Sequence, residues 1–464
     1  MVFLAQENRS FDSYFGALRE YWAQNGYSDQ PFDGLPQFNS PAGAAPSNPG
    51  CDPALPFNPT GNPPQTNDCA FDPANPVTSF HLQTMCVENP SPSWNESHVD
   101  WDYNDPTGLQ PAQLNGFVYA AGHDARDIVP PFNDTNGLRA MGYYDGNDLN
   151  FYYFMASNFA TSDRWFAPVM SRTPPNREYL IAATTQGYAY PVGSNANDQA
   201  LIAAPPIFEK LQNANITWKV YVHPLPNGCA SAQCLYSQSY VQNFTYGPTM
   251  LKNYPQNFET TDQFIKDAQN GTLPQVAQIE PASANGLDEH PADFDPTPQI
   301  PTPCCSVQAG ANFVDTLISA VMDGPSWKDT IFILTFDEPG GFYDHVSPQP
   351  AASPDGIKPK DLFPGDICTK VSGPTCDFTH TGYRVPIIVI SPYTKKHYVS
   401  HTVRDHTSIL KLIETRFNLP SLTKRDAAQP DMTEFFDFVN APWIHGPTLP
   451  SQNNGGACYL DHLP

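Results

Sequence analysis

Short apolar runs alternate with amphipathic segments along the chain, and this alternation predicts strands that alternate with helices. The β-branched run DTIFILTF at residues 329–336 and the run YRVPIIVISPY at residues 383–393 are typical of central parallel strands that are buried on both faces. This order favours an α/β fold, a three-layer sandwich in which helices cover both faces of a mostly parallel sheet. The other predicted strands are residues 2–6, 216–222 and 275–281, and the predicted helices are residues 148–165, 311–322 and 402–417.

One long segment departs from this alternation. Residues 30–115 are rich in Pro, Asn and Gly and contain few apolar runs. We interpret them as a loop-rich insertion within a single domain that spans residues 1–464. A loop of that length inside a domain usually carries function or is held by disulfides. Cys51, Cys69 and Cys86 are the candidates to hold this one.

The charge balance excludes several classes of protein. Among 464 residues, 47 acidic residues stand against 23 basic ones, a formal net charge of -24. A nucleic-acid-binding protein needs a basic face, so we expect no nucleic-acid partner. The same charge disfavours electrostatic attachment to an anionic membrane. No apolar run approaches the roughly 20 residues that span a bilayer, so we expect no transmembrane segment.

Cysteines and glycosylation motifs indicate the compartment. The 10 cysteines lack the paired CxxC spacing of a zinc site, and the near pairs Cys229/Cys234 and Cys368/Cys376 predict small disulfide-closed loops. Together with few lysines and several N-x-[ST] sequons, they predict a secreted glycoprotein; free thiols and chance sequons are the alternative. The opening MVFLAQ is too short for a secretory signal, so we expect the native precursor to begin upstream of Met1. The sequons are at Asn95, Asn133, Asn215, Asn243 and Asn270.

Carboxylates and an amide follow two of the predicted strands directly. Glu7 and Asn8 come after the first strand, and Asp337 and Glu338 come after the strongest one. Ligands of open parallel sheets bind beyond the carboxyl ends of the strands, where these side chains would meet. Such an oxygen-rich cage suits a hard divalent cation, which would be Ca²⁺, Mg²⁺ or Mn²⁺. The alternative is a pair of solvated strand ends with capping acids.

A threonine is the candidate nucleophile. Thr173, followed by Pro174, is placed to cap the start of a helix. Helix N-termini attract phosphate, and a metal-activated hydroxyl placed there can attack phosphorus. An ordinary helix cap is the alternative interpretation. Four histidines near predicted strand ends or motifs are candidates to bind phosphoryl oxygens or to protonate a leaving group. They are His98, His223, His290 and His345.

Five blocks of sequence stand in order along the chain. They are QENRSFDSYFG, MGYYDGNDLNFYYFMASNFATSDRWFAPVMSRTPPNREYL, DEHP, TFDEPGGFYDHV and RVPIIVISPYTKKHYVSHTVRDHTSILKLIETRFNL. Together they resemble the phosphoesterase family, which contains microbial non-specific phospholipases C and related acid phosphatases. The resemblance covers most of the chain apart from residues 30–95 and the region around Cys304 and Cys305. It implies an alkaline-phosphatase-like α/β/α fold and hydrolysis of phosphate esters by a metal-assisted Ser/Thr nucleophile.

The resemblance also implies roles for matching residues. The family's metal ligands correspond to Glu7, Asn8, Asp337 and Glu338. The resemblance also implies that the Asn8 amide contacts the phosphoryl group. Thr173 corresponds to the nucleophile and His290 to the histidine of the EHP block. His98 and His223 correspond to further catalytic or substrate-side histidines, with less similar flanking residues.

Two more residues are expected to attract or orient an anionic substrate in this acidic chain. His345 matches a family motif, and Arg177 follows the nucleophile on the same predicted helix, with Arg384 as a further candidate cation. Pro339 stands where the family more often has Asn, a departure that alters the loop before Gly340.

The sequence therefore predicts a secreted phosphoric ester hydrolase of the phospholipase C type acting on phospholipid head groups. An acid phosphatase for soluble phosphomonoesters is the alternative enzyme, and a catalytically inactive secreted binding protein is the alternative outside enzymes. A sulfatase is excluded, because a threonine such as Thr173 cannot become the aldehyde hydrate that sulfatases use. The sequence leaves the oligomeric state, the head group and the metal open.

Overall fold

The computed structural model describes residues 1–52, 69–108, 111–128, 131–293 and 306–463. The helices within these residues are Phe11–Phe15 (α1), Leu18–Asn25 (α2), Trp94–Trp101 (α3), Phe117–Asp127 (α4), Asn150–Asn158 (α5), Thr173–Ala182 (α6), Ile207–Asn213 (α7), Ala232–Ser237 (α8), Gly247–Asn253 (α9), Thr261–Asn270 (α10), Val307–Met322 (α11), Thr407–Phe417 (α12) and Lys424–Ala428 (α13). The strands are Val2–Gln6 (β1), Ser47–Asp52 (β2), Ala70–Thr78 (β3), Phe80–His81 (β4), Gly142–Tyr143 (β5), Ala160–Ser162 (β6), Trp165–Phe166 (β7), Trp218–Val222 (β8), Phe258–Thr260 (β9), Val276–Ile279 (β10), Phe332–Phe336 (β11), Ile387–Ile390 (β12), Tyr398–Ser400 (β13) and Arg404–Asp405 (β14).

A central sheet organises the molecule, with strand order β13-β6-β12-β11-β1-β10-β8-β9. β1 pairs in parallel with β11 on one side and with β10 on the other, and β10 pairs in parallel with β8. β12 runs antiparallel to both β11 and β6. The expectation that residues 383–393 form a parallel strand is therefore wrong. A continuous apolar run indicates burial on both faces of a sheet, but it carries no information on strand direction.

Helices cover this sheet on both faces. Every residue of β1 and of β11 is buried, so neither face of these strands meets water. In one set of helices α11 packs against α5 and α10, and in a second set α6 packs against α7 and α12. The predicted three-layer α/β/α fold with a mostly parallel sheet is confirmed. The predicted helix 148–165 is shorter, because α5 ends at Asn158 and the chain enters strand β6.

The segment 30–115 contains more regular structure than its composition predicts. It holds the hairpin of β2 and β3 and the helix α3, in which Trp94 packs in one apolar cluster with Tyr179 of α6. Proline and glycine content thus marks the turns of this segment but not the helix whose aromatic side chains join the core. Its description as an insertion into one domain stays a prediction.

Disulfides join both near and distant parts of the chain. Cys229–Cys234 and Cys368–Cys376 close the two small predicted loops. Cys51–Cys69 closes a loop at β2 and β3. Cys86 also holds the segment 30–115 by a disulfide, but its partner is Cys458, 372 residues away. Cys304 and Cys305 lie outside the described residues.

We expect the Cys86–Cys458 disulfide to stabilise the fold more than the Cys229–Cys234 disulfide does. Cross-linking residues 372 apart removes more chain entropy from the unfolded state than cross-linking residues 5 apart, by up to about 4 kcal/mol. The double variant Cys86→Ser/Cys458→Ser should therefore lower the free energy of unfolding in urea more than Cys229→Ser/Cys234→Ser. Equal losses in the two variants would contradict this account.

Candidate active site

The carboxyl ends of β1 and β11 bring the predicted acidic residues together. The two strands are parallel neighbours, and the pairing continues past them as the Asp337 N–H donates to the Gln6 carbonyl at 2.9 Å. The Arg9 N–H donates to the Glu338 carbonyl at 3.0 Å. The DEHP block reaches the same edge, because the Glu7 N–H donates to the Asp288 carbonyl at 2.9 Å. We call this cluster of Glu7, Asn8, Thr173, Arg177, Glu280, His290, Asp337 and Glu338 the strand-end site.

Asn8 links the other members of the strand-end site. Its backbone N–H donates to Asp337 Oδ1 at 3.1 Å, its Oδ1 accepts from the Thr173 hydroxyl at 3.3 Å, and its Nδ2 lies 3.1 Å from His290 Nε2. Asn8 has a φ of 58°, in the left-handed region that asparagine tolerates better than most residues. Gly340 makes this approach possible, since a Cβ there would lie 2.4 Å from the Asn8 carbonyl oxygen.

Thr173 is the first residue of α6, and Arg172 occupies the capping position before it. The prediction that Thr173 caps the helix is therefore wrong by one residue. The correction matters for chemistry, because the Thr173 hydroxyl is not spent on a helix N–H and donates to Asn8 instead. The hydroxyl thus sits at the positive end of the α6 dipole, which favours a phosphoryl group there, although Pro174 and Pro175 contribute no N–H to the first turn.

The hydrogen bonds of His290 fix its tautomer. Nδ1 lies 2.6 Å from the Pro291 carbonyl oxygen, which can only accept, so Nδ1 carries the proton. In the neutral ring, Nε2 is then an acceptor that faces the Asn8 amide. This leaves a basic nitrogen directed at the strand-end site, able to take up a proton.

Arg177 holds the carboxylates at the strand ends. Its Nε donates to Asp337 Oδ2 at 3.2 Å, and its Nη2 lies 3.4 Å from Glu7 Oε1 and donates to the Ala5 carbonyl at 2.8 Å. Its Nη1 lies 3.9 Å from Glu280 Oε2. Arg177 is almost fully buried by these groups. The role predicted for it in substrate binding stays a prediction, and its contacts in the structure are with protein carboxylates.

Glu280 is a member of the strand-end site that the sequence analysis did not single out. It follows β10 directly, as Glu7 follows β1. The predicted strand 275–281 included Glu280, so an acid near the carboxyl end of that predicted strand was the available signal. Burial raises the pKa of Glu280 to about 7, although Arg177 lowers it. A carboxyl group with this pKa exchanges protons close to neutral pH.

The other carboxyl groups carry a surplus of negative charge. Burial raises the pKa of Glu7 and of Glu338 well above the usual range, and it also raises the pKa of Asp337, against the effect of Arg177. Glu338 Oε2 accepts from the Gly340 N–H at 2.6 Å, while Glu338 Oε1 is buried and has no partner among the described residues. A divalent cation would satisfy that oxygen and balance the charge that the single guanidinium leaves over, so these residues fit one.

A different group has the tightest arrangement of common metal ligands. Among the described residues, the one set of three His, Asp or Glu side chains with ligand atoms all within 4.8 Å of one another is His81, Asp145 and Asp148. The carboxylates of the strand-end site are spaced more widely, since the Arg177 guanidinium lies against Glu7 and Asp337. His81 Nε2 already pairs with Asp148 Oδ2 at 2.7 Å, so this group is a satisfied ion pair near the surface.

Two predicted catalytic histidines, His98 and His223, make no hydrogen bond with the strand-end site among the described residues. Both ring nitrogens of His98 face backbone carbonyls, those of Trp94 at 2.6 Å and Thr375 at 3.1 Å, and burial lowers its pKa. The ring therefore has no nitrogen left for a substrate. His223 follows β8 at the same edge of the sheet, where its Nδ1 lies 2.8 Å from the Thr261 hydroxyl and burial lowers its pKa.

His345 belongs to a separate ionic cluster with Arg384. His345 Nδ1 lies 2.6 Å from Asp12 Oδ2, and its Nε2 lies 3.0 Å from Asp33 Oδ1. Arg384 pairs with Asp12 at 2.9 Å and with Asp344 at 2.9 Å. Because protein carboxylates occupy both ring nitrogens, the structure does not favour the prediction that His345 binds substrate. Its contacts indicate that it holds α1 against the loop after β11.

These observations define an α/β protein with a buried hydroxyl, an amide, an imidazole and clustered carboxylates at one sheet edge. A model of the phosphoesterase family matches residues 1–420, and the chain belongs to that family. It is a phosphoric ester hydrolase.

Curated relatives of the chain are consistent with this assignment. Phospholipase C A of Mycobacterium tuberculosis is 30% identical, with 97% of this chain and 79% of the relative aligned. Non-specific phospholipase C3 of Arabidopsis thaliana is 26% identical over 92% of this chain and 71% of its own length. A Vibrio parahaemolyticus protein of the alkaline phosphatase superfamily is 12% identical, covers 60% of this chain and 63% of its own, and has a TM-score of 0.32, too low to compare the folds in detail. In the part of the chain that the structure describes, no helix combines the length and apolarity needed to cross a bilayer.

The His345 cluster predicts a loss of stability at alkaline pH. Burial by itself lowers the pKa of His345, but Asp12 and Asp33 outweigh it and raise the pKa to about 9. A raised pKa means that the stabilisation is complete below the unfolded value of about 6.5 and is lost as the pH rises through about 9. We expect the free energy of unfolding to fall over this interval by up to about 3 kcal/mol.

The matched variant is His345→Gln, which cannot become charged. It should be less stable than the wild type at pH 6 and nearly equal to it at pH 10. Denaturant titrations at the two pH values measure this, and a difference between the proteins that does not change with pH would contradict the assignment of the charge to His345.

Proposed function

We propose that this protein hydrolyses phospholipid head-group esters in the manner of a phospholipase C, with Thr173 as the nucleophile. One observation supports the proposal above all: the Thr173 hydroxyl, the Asn8 amide, the His290 ring and the Asp337 carboxylate form one connected set of contacts of 3.1 to 3.3 Å. These groups come from four separate parts of the sequence. Their convergence at the first turn of a helix suits attack on a phosphoryl group.

The chain's own residues suggest the order of events. The Thr173 oxygen attacks phosphorus as its proton passes to the Asp337 carboxylate, and the bond between phosphorus and the departing alcohol oxygen breaks to leave a phosphothreonine. The positive end of the α6 dipole and the Asn8 amide stabilise the charge on the phosphoryl oxygens. His290, protonated at Nε2, donates that proton to the departing alcohol oxygen. The neutral His290 then accepts a proton from a water molecule whose oxygen attacks the phosphothreonine. The bond between phosphorus and the Thr173 oxygen breaks, and the proton held by Asp337 returns to that oxygen and regenerates the Thr173 hydroxyl.

Glu7, Asn8, Asp337 and Glu338 are the residues proposed to hold a divalent cation, whose identity among Ca²⁺, Mg²⁺ and Mn²⁺ is left to experiment. Such an ion would supply Lewis-acid polarisation of the phosphoryl group and would lower the pKa of the nucleophilic hydroxyl. The buried Glu338 Oε1 without a described partner supports this choice of ligands. Arg177 keeps Glu7 and Asp337 in place through one oxygen of each carboxylate.

The names of the relatives support a diester of the phospholipid type as the substrate. Secretion is part of the proposal, and the disulfides of residues 86/458, 51/69, 229/234 and 368/376 support it, since disulfides persist in oxidising compartments.

Thr173→Ala is expected to lower kcat by at least about 10³-fold, because no other group can form the covalent intermediate. Thr173→Ser keeps a hydroxyl at the same place and is the matched control that should retain most of the activity. Turnover of a chromogenic phosphate ester by both purified variants measures this, with circular dichroism to confirm folding. Substantial turnover by the alanine variant would remove Thr173 from the proposed role.

Chelation should abolish activity on every substrate, and a divalent cation should restore it. We propose to assay p-nitrophenyl phosphate and p-nitrophenyl phosphocholine with EDTA and then with Ca²⁺, Mg²⁺ or Mn²⁺ in excess. Preference for the diester supports the phospholipase C proposal, and preference for the monoester replaces it with an acid phosphatase. Full activity in EDTA contradicts the cation, and no turnover by folded, metal-loaded protein indicates a binding protein.

A further inference from the structure

The sequons differ sharply in what their asparagine side chains do in the folded protein. Besides the five already named, the chain has a sixth at Asn8-Arg9-Ser10. Asn8 is buried in the strand-end site, with its amide engaged by Thr173 and His290. A side-chain amide that already bonds within the fold is not available to carry a sugar.

At three further sequons the asparagine side chain donates a hydrogen bond to a carboxylate of another residue. Asn243 Nδ2 donates at 3.0 Å to Glu178, a carboxyl group that is completely buried. Asn133 Nδ2 donates at 2.9 Å to the buried Glu88. Asn95 Nδ2 donates at 2.8 Å to the carboxylate of Asp366. A glycan on any of these nitrogens would replace one amide hydrogen and place a sugar against the carboxylate, which disturbs the hydrogen bond between them.

The remaining two asparagines are exposed and free. Asn215 lies in the turn between α7 and β8, and Asn270 is the last residue of α10. Neither side chain hydrogen-bonds to another residue in the part of the chain that the structure describes. The threonines that complete their sequons, Thr217 and Thr272, are also exposed.

Both free asparagines lie at the edge of the sheet opposite to the strand-end site. They precede the parallel neighbours β8 and β10, whose first residues Trp218 and Val276 are paired. The Gln275 N–H donates to the Thr217 hydroxyl at 2.9 Å, and this hydrogen bond connects the segments that lead into β8 and β10. Strands of four to five residues separate this edge from the catalytic edge by about 13–16 Å.

We propose that Asn215 and Asn270 carry N-linked glycans and that the other four sequons do not. The side-chain amide nitrogen forms a bond to the anomeric carbon of an oligosaccharide donated by a polyprenyl-diphosphate-linked sugar. The bond between that carbon and the diphosphate oxygen breaks, one amide proton is released, and the polyprenyl diphosphate leaves. Both glycans project from the edge away from the strand-end site, so the substrate reaches Thr173 unobstructed. This inference rests on the secretory location in the proposed function and is independent of the reaction.

The test is glycopeptide mapping of the full chain secreted from yeast behind a cleavable leader. Enzymatic removal of the glycans in H₂¹⁸O converts each glycosylated asparagine to a labelled aspartate, which mass spectrometry locates. We expect label at Asn215 and Asn270. Asn215→Gln and Asn270→Gln should each remove one glycan and keep phosphate-ester turnover within about twofold of the wild type. Asn243→Gln is the matched control and should leave both glycans in place.

Label at Asn8, Asn95, Asn133 or Asn243 in the folded secreted protein, or its absence from Asn215 or Asn270, overturns the proposal. Turnover measured on the same samples keeps the two questions apart. A correct glycan map with no turnover refutes the proposed reaction alone, and full turnover with a different map refutes the glycan assignment alone.

Discussion

The Arg177 guanidinium, buried among carboxylates at the ends of β1, β10 and β11, is the constraint on which the strand-end site depends. It contacts Glu7 and Asp337 and approaches Glu280, so one side chain of α6 fixes three strand ends. Arg177 also stands one helical turn after Thr173 on α6. The ion pairs that hold the acidic cluster therefore hold Thr173, the proposed nucleophile, beside it.

Burying several carboxyl groups beside one guanidinium costs free energy, and the pKa values of these groups reflect that cost. The raised pKa values of Glu7, Glu338 and Asp337 all have burial as their main cause, which means that the charged forms lack compensation in the protein alone. A purely structural ion pair would not need this surplus. The proposed function offers a reason for it, because the same surplus would give the strand-end site affinity for a divalent cation beside the Thr173 hydroxyl.

A second ionic cluster holds the loop that follows Glu338 of the strand-end site. Arg384, Asp12 and Asp344 are buried, and His345 connects them to Asp33 near the surface. These pairs tie α1, which follows the Glu7-Asn8 segment, to the loop that follows Glu338. The cluster thus contributes to the position of the metal-ligand candidates without touching them. Histidine in this chain is used for structure at His345 and for the proposed proton transfer at His290.

The sequence by itself determined the layered α/β architecture and most of the residues that form the strand-end site. Apolar runs predicted the central strands, and the acids directly after two of them predicted where charge would collect, because parallel strands end at one edge. It could not decide the direction of β12, the partner of Cys86, or the engagement of His98, since each depends on what packs against the residue and not on local pattern. Tertiary structure alone brought Glu280 into the cluster and moved the Thr173 hydroxyl from a helix cap to Asn8. The physical reason is that hydrogen bonds and ion pairs are selected by three-dimensional distance, whereas the periodicity of a sequence records only which faces of its elements are buried.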